Sequence, residues 1–165
     1  MPGLDCEVRV DCRAGGAFCA KCCRNAVVPL LREDYERLKA MLGDVEGYVE
    51  WVEGVPVLKR VNGACVFLEE ATGRCRVYED RPLACRLYPL VYSPGTWVHA
   101  DPRCPRAASV TMDVVARCGS LVEKFPLLLK ESWGLELGAT RSQPAPLAAS
   151  SASAGAIQRG SRRGR

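Results

Sequence analysis

Ten cysteines in 165 residues constrain this chain more than any other feature. They fall at Cys6, Cys12, Cys19, Cys22 and Cys23, then after a gap at Cys65, Cys75, Cys85, Cys104 and Cys118. In most cytosols disulfides do not persist, so a cysteine cluster there points to metal binding or catalysis. Hyperthermophile cytosols, where structural disulfides are common, are the exception. The N-terminus, MPGLDCEVRVDC, carries acids early and no apolar core, so no signal peptide is expected. No apolar run approaches the ~20 residues a membrane helix needs. A cytoplasmic chain without a membrane span is therefore expected.

The spacing narrows the chemistry. Cys19-Ala20-Lys21-Cys22 is a CxxC, which lets two thiolates converge on one metal through a tight turn. A redox dithiol uses the same pair, but no βαβ pattern surrounds it. His99 is the only histidine, so catalytic zinc sites built on two or three histidines are excluded. His99 itself reads as an exposed strand residue. A thiolate-only site suits zinc or an iron–sulfur cluster, and the lack of other donors leans toward the cluster.

Hydrophobic residues at 48% and charged residues at 25% fit one soluble globular domain. Of the 23 basic residues, five (Arg141, Arg159, Arg162, Arg163 and Arg165) lie in the 139–165 tail, which has no acid. The 1–138 domain is then slightly acidic and has no basic footprint for nucleic acid. Any such contact is confined to weak attraction by the tail, which its Ala, Ser, Gly and Pro content predicts to be disordered.

The expected fold is α+β: a small single domain organised around a cysteine-ligated metal site, with short hairpins, an amphipathic helix in the N-terminal half and a C-terminal helix. Residues 1–25 read as a loop shaped by metal binding, with Gly15 and Gly16 turning it. Leu31, Tyr35, Leu38 and Leu42 form one face of a helix over 32–42, stopped by Gly43. Residues 55–61 and 64–68 read as strands joined by Asn62-Gly63, and Thr72-Gly73 as a second turn. Pro82 fits the first position of a short helix ending at Leu87. Leu90–Tyr92 and Trp97–Ala100 suggest a hairpin around Ser93-Pro94-Gly95. A helix over about 111–132 carries Val115, Cys118, Val122 and Phe125 on one stripe, and Pro126 is expected to kink or split it. Cys118 reads as a small buried residue on that stripe; Cys6 stays unassigned.

Within 65–89, cysteines recur at intervals of ten: Cys65, Cys75 and Cys85. Arg81 and Arg86 flank Cys85. Four thiolates on a divalent metal leave a charge of about −2, which nearby arginines offset while donating to sulfur. Arg81 is assigned that role, fixed by its neighbour Pro82; Arg86 serves there or in surface pairing with Glu79 and Asp80. Neighbouring side chains usually point apart, so Cys22 and Cys23 are expected to serve two sites, or one to ligate and the other to pack.

These residues resemble the YkgJ-type cysteine cluster family, a zinc- or iron-chelating domain with a CxxCxxCC signature. The matching parts are Cys19-x-x-Cys22-Cys23, Cys65-x-Phe67-Leu68, Gly73-x-Cys75-x-Val77-Tyr78-x-x-Arg81-Pro82-x-x-Cys85-Arg86-x-Tyr88-Pro89 and Cys104-Pro105. The family places its first cysteine three residues before the CxxCC; here that position is Gly16, and Cys12 or Cys6 substitutes. The resemblance implies eight ligands, carried over as Cys12, Cys19, Cys22, Cys23, Cys65, Cys75, Cys85 and Cys104. It implies no reaction and no partner. Related segments occur in flagellin lysine N-methylases, so an enzyme or accessory subunit of that kind is a second reading, against which stand the absence of a Gly-rich nucleotide loop after a strand and of a CxxxCxxC. A disulfide-stapled hyperthermophile protein without metal is a third reading.

Overall fold

The computed structural model describes residues 5–14, 17–24, 26–93, 95 and 97–135. Gly15-Gly16, Pro94 and the 139–165 tail, on which expectations rested, lie outside the described residues. Short antiparallel hairpins alternate with helices in a small α+β domain.

β1 (Arg13–Ala14) pairs with β2 (Ala17–Phe18), and a 3-10 turn over Lys21–Cys23 follows. The first 25 residues therefore hold a hairpin where only a loop was expected. α1 (Arg32–Leu42) matches its expected bounds, with Glu33 and Asp34 in its first turn and Gly43 closing it at φ 76°. β3 (Val49–Val52) then pairs with β4 (Val55–Leu58), in the register Trp51↔Pro56. Their Glu53-Gly54 turn takes φ 51° and 81°, the two-residue geometry that suits strand twist. Glutamate rarely adopts that conformation, which is why this hairpin escapes sequence reading.

β5 (Arg60–Val61) and β6 (Ala64–Cys65) pair round Asn62-Gly63, as expected. The expected strands 55–61 and 64–68 are each broken, because the chain changes partner: β4 pairs backward with β3, β5 forward with β6. β7 (Leu68–Glu69) pairs with β8 (Arg74–Cys75). A Cβ at Gly73 would lie 2.8 Å from the Phe18 carbonyl oxygen, so glycine is what lets β2 lie against this turn.

α2 (Leu83–Leu87) starts one residue after Pro82, so Pro82 precedes the helix instead of opening it and Arg81 stands outside. Asp34 of α1, 2% exposed, accepts the Leu83 N–H at 3.1 Å and thereby caps α2. β9 (Leu90–Val91) pairs with β10 (His99–Ala100). α3 (Met112–Trp133) runs through Pro126 without being split. Proline removes one backbone bond there, but Val122, Phe125, Leu128 and Leu129 pack on the core on both sides of it. No described helix is long and apolar enough to cross a membrane.

Two apolar clusters meet at α2. Leu83 and Leu87, one turn apart, pack with Val8, Leu31, Leu90 and Val122. Ala84 and Cys85 pack instead against the cluster of Leu38, Val49, Leu58, Phe67 and Val77, which Cys65 and Cys75 also border.

Candidate metal centre

Cys6 and Cys118, separated by 112 positions, form a disulfide with Cα atoms 5.6 Å apart. Cys118 is buried as expected, but as half of a covalent staple rather than as a packing residue. Nothing local signals that pairing; only the fold brings the N-terminal segment against α3. The other described cysteines are free: Cys12, Cys19, Cys22, Cys23, Cys65, Cys75, Cys85 and Cys104. Cys6 is engaged, so Cys12 is the free thiol that precedes Cys19.

The β1–β2 hairpin explains how Cys12 reaches its place. The Cys19 N–H donates to the Cys12 carbonyl at 2.9 Å, so the two cysteines face each other at the open end of the hairpin. The longer spacing in sequence is absorbed by the hairpin. Ala20 at φ 52° then turns the chain into the 3-10 segment, where Cys22 Sγ and Cys23 Sγ lie 3.9 Å apart. These neighbours converge instead of pointing apart, because the tight turn brings successive side chains to one side. Cys65 and Cys75 arrive on β6 and β8, and Cys85 on α2. Buried Cys104 follows a turn in which its N–H donates to the Asp101 carbonyl.

Cys22 is the common neighbour of this group. The hydrogen bond from Cys23 lowers its thiol to about 7, with Arg81 adding to the shift. Cys23 moves up, first through that same hydrogen bond and then through burial. Burial is the leading cause that raises Cys12, Cys65, Cys75 and, most strongly, Cys85. The charge of Cys22 raises each of these as well. Cys104 and Cys19 act on Cys12, while Cys65 and Cys75 act on Cys85.

Arg81 is buried, at 7% exposure, and its charge opposes the upward shifts of Cys12, Cys75 and Cys85. It does not donate to sulfur as expected. Nη1 donates to the Tyr78 carbonyl at 2.6 Å, Nη2 pairs with Glu7, and the guanidinium sits 3.9 Å above the Tyr78 ring. Arg81 therefore acts on the thiols through charge alone. Arg76, not singled out from the sequence, lowers Cys65 and Cys75 in the same way. Arg86 keeps Nε buried without a hydrogen-bond partner, and its carbonyl accepts the Val8 N–H at 2.8 Å. Tyr88, between Asp101, Cys104 and Cys22, has its hydroxyl raised chiefly by burial and hydrogen-bonds Asp101. His99 is half-buried on β10, with Nδ1 2.8 Å from the Trp97 carbonyl oxygen.

Among the described residues, no three His, Cys, Asp or Glu side chains are drawn together tightly enough to grip a metal ion as they stand. The donor set nevertheless fits one. It is thiol throughout, includes a Sγ–Sγ spacing of 3.9 Å, and has a buried cation beside it. Two Zn–S bonds of about 2.3 Å in a tetrahedron set their sulfurs at a similar separation.

No solved structure matches the chain. A 43-residue stretch is 46% identical to an uncharacterized protein of Methanocaldococcus jannaschii, covering 26% of this chain and 24% of that protein. The chain thus spans about a quarter of that relative's length. The CxxCxxCC family, described as "Putative zinc- or iron-chelating domain", matches residues 11–105. That stretch is more than half of the chain and runs from just before Cys12 to just after Cys104, so this protein belongs to the CxxCxxCC family.

Proposed function

We propose that residues 1–138 form a metal-binding domain that holds zinc or an iron–sulfur cluster through Cys12, Cys19, Cys22, Cys23, Cys65, Cys75, Cys85 and Cys104. The observation that carries this reading is the division of the cysteines. One distant pair is spent in a disulfide, while the eight thiols that remain free run from the N-terminal hairpin to Cys104 with Cys22 among them. The family description supports chelation of zinc or iron in general. Bound zinc or iron would supply a cross-link between hairpins too short to hold themselves, and in a cluster also a site for one electron. The chain's own residues do the rest. The thiols give up their protons, Arg81 and Arg76 offset thiolate charge from beside the centre, and Asp34 fixes the helix that presents Cys85.

Anaerobic purification followed by metal analysis tests this. A brown protein with iron and sulfide identifies a cluster; a colourless one with zinc identifies zinc. Cys85→Ser is expected to lose bound metal, and a full metal complement in that variant would overturn the ligand assignment.

A further inference from the structure

The N-terminal strap, residues 6–12, joins the disulfide to the thiol centre. Cys6 is bonded to Cys118 of α3, Glu7 pairs with Arg81, and Val8 is buried while its N–H donates to the Arg86 carbonyl. Beyond these adjacent pins the strap is held more lightly, with Val10 only partly buried against the α3-side cluster. Arg9, Val10 and Asp11 border an open cleft of about 350 Å³ whose other wall is Tyr78 and Glu79. Cys12 comes next, opposite Cys19. The disulfide is thus the one covalent pin of a segment that delivers a thiol to the centre; the Glu7–Arg81 pair and the Val8 bond stand next to it, and Val10 and the Cys19 N–H to Cys12 carbonyl bond hold the far end noncovalently.

We propose that the Cys6–Cys118 disulfide is a redox latch on the thiol centre: closed, it steadies the strap and, through it, Cys12 beside Cys19; opened, it leaves the strap to its noncovalent pins, which give way more often and expose Cys12. Its consequence for metal retention rests on the metal-binding reading above; the movement of Cys12 does not. The opening step needs a dithiol reductant. One of its thiolates attacks Cys6 sulfur, the less buried of the pair at 7% exposure against 0%, and Cys118 leaves as a thiolate that takes a proton. The reductant's second thiol then displaces Cys6, which also leaves as a thiol. The protein disulfide gains two electrons and two protons, and the reductant ends as its own disulfide. Burial of both sulfurs means that the strap must open locally before attack, so the latch is slow to release.

The test uses the full chain, first without metal. Cysteines are pulse-alkylated with iodoacetamide and mapped by mass spectrometry, in air-purified protein, after dithiothreitol treatment and removal, and in Cys118→Ala. Cys12 is expected to alkylate about tenfold faster with the latch open, with Cys75 on its hairpin unchanged. Equal Cys12 rates in the closed and opened forms would overturn the proposal, as would finding Cys6 and Cys118 both free in air-purified protein. If Cys118→Ala does not fold, the dithiothreitol-treated chain supplies the same comparison. A second arm loads zinc and follows its release to a chelator, expected to be faster with the latch open. Zinc that leaves at one rate in both states overturns the latch. Zinc that binds in neither state overturns the metal reading, and the alkylation rates then decide the latch.

Discussion

The two sides of α2 solve the problem of a small core differently. Toward α3, Val8, Leu31, Leu83, Leu87, Leu90 and Val122 are buried together, and sulfur there is oxidised into the Cys6–Cys118 staple. Toward the hairpins, β5 to β8 are two residues each, and the thiols among them are free and only half-buried. Isolated hairpins that short are marginal in water. Cysteine closes by covalent bond inside one apolar cluster and stays available at the border of the other, on strands of two residues. A bound metal would matter most on the second side.

Metal loading is expected to show the largest difference. Structural zinc sites contribute on the order of 10 kcal/mol to folding. In amide hydrogen exchange on stripped and loaded protein, residues 64–77 should gain strong protection on loading, while the centre of α3 changes little. Equal gains on both sides would break the comparison and mean that the domain folds as one metal-dependent unit. The staple predicts the converse. Chain-entropy reasoning gives about 4–5 kcal/mol for a loop of this size. Cys118→Ala should lower the urea midpoint accordingly in metal-free protein, and exchange should rise along α3 and the strap before it rises in the hairpins.

How much of this is legible beforehand follows the range of each interaction. α1 and the Asn62-Gly63 hairpin are local matters of apolar spacing and turn chemistry, and both are found where their residues point. The eight cysteines carried over from the resemblance are all free thiols in the structure. The disulfide is invisible in sequence, since its halves share no local pattern across 112 positions. Asp34 shows the same limit: its position suits a helix first turn, yet its carboxylate is spent on a second helix 49 positions away. The convergence of Cys22 and Cys23 depends on Ala20 entering the left-handed region, a conformation that alanine does not advertise.

Arg81 sits at the junction of the two sides, and replacing it sharpens the comparison at smaller scale. Its fork reaches the Tyr78 carbonyl and Glu7 at once, and its plane covers the Tyr78 ring. Lysine keeps the charge but cannot span both acceptors or stack in the same way. Arg81→Lys should therefore retain metal, with affinity lowered by less than the roughly tenfold lost when a group bonded to a ligand is removed. Competition with a chromogenic chelator measures this. Unchanged affinity would reduce Arg81 to a clamp for the strap.

Glu7 gives the smallest effect and a signed dependence on pH. Its carboxyl lies below the ordinary range, first through the hydrogen bond from Arg9, against an opposing burial effect, with the Arg81 charge adding to the lowering. A carboxyl depressed in the folded state stabilises it fully above the pKa of the unfolded chain, near the usual 4.5, and loses that contribution as pH falls through the folded value. Glu7→Gln should thus destabilise metal-free protein slightly and constantly between about pH 6 and 8, by less than about 1 kcal/mol given that the pair is partly exposed. The gap to the parent should shrink below pH 4.5 and close once Glu7 is protonated. Urea midpoints of both proteins across that range measure it, with metal absent so that thiol protonation does not enter through lost ligands. A gap that persists at acid pH would mean that Glu7 holds the strap by packing rather than by charge.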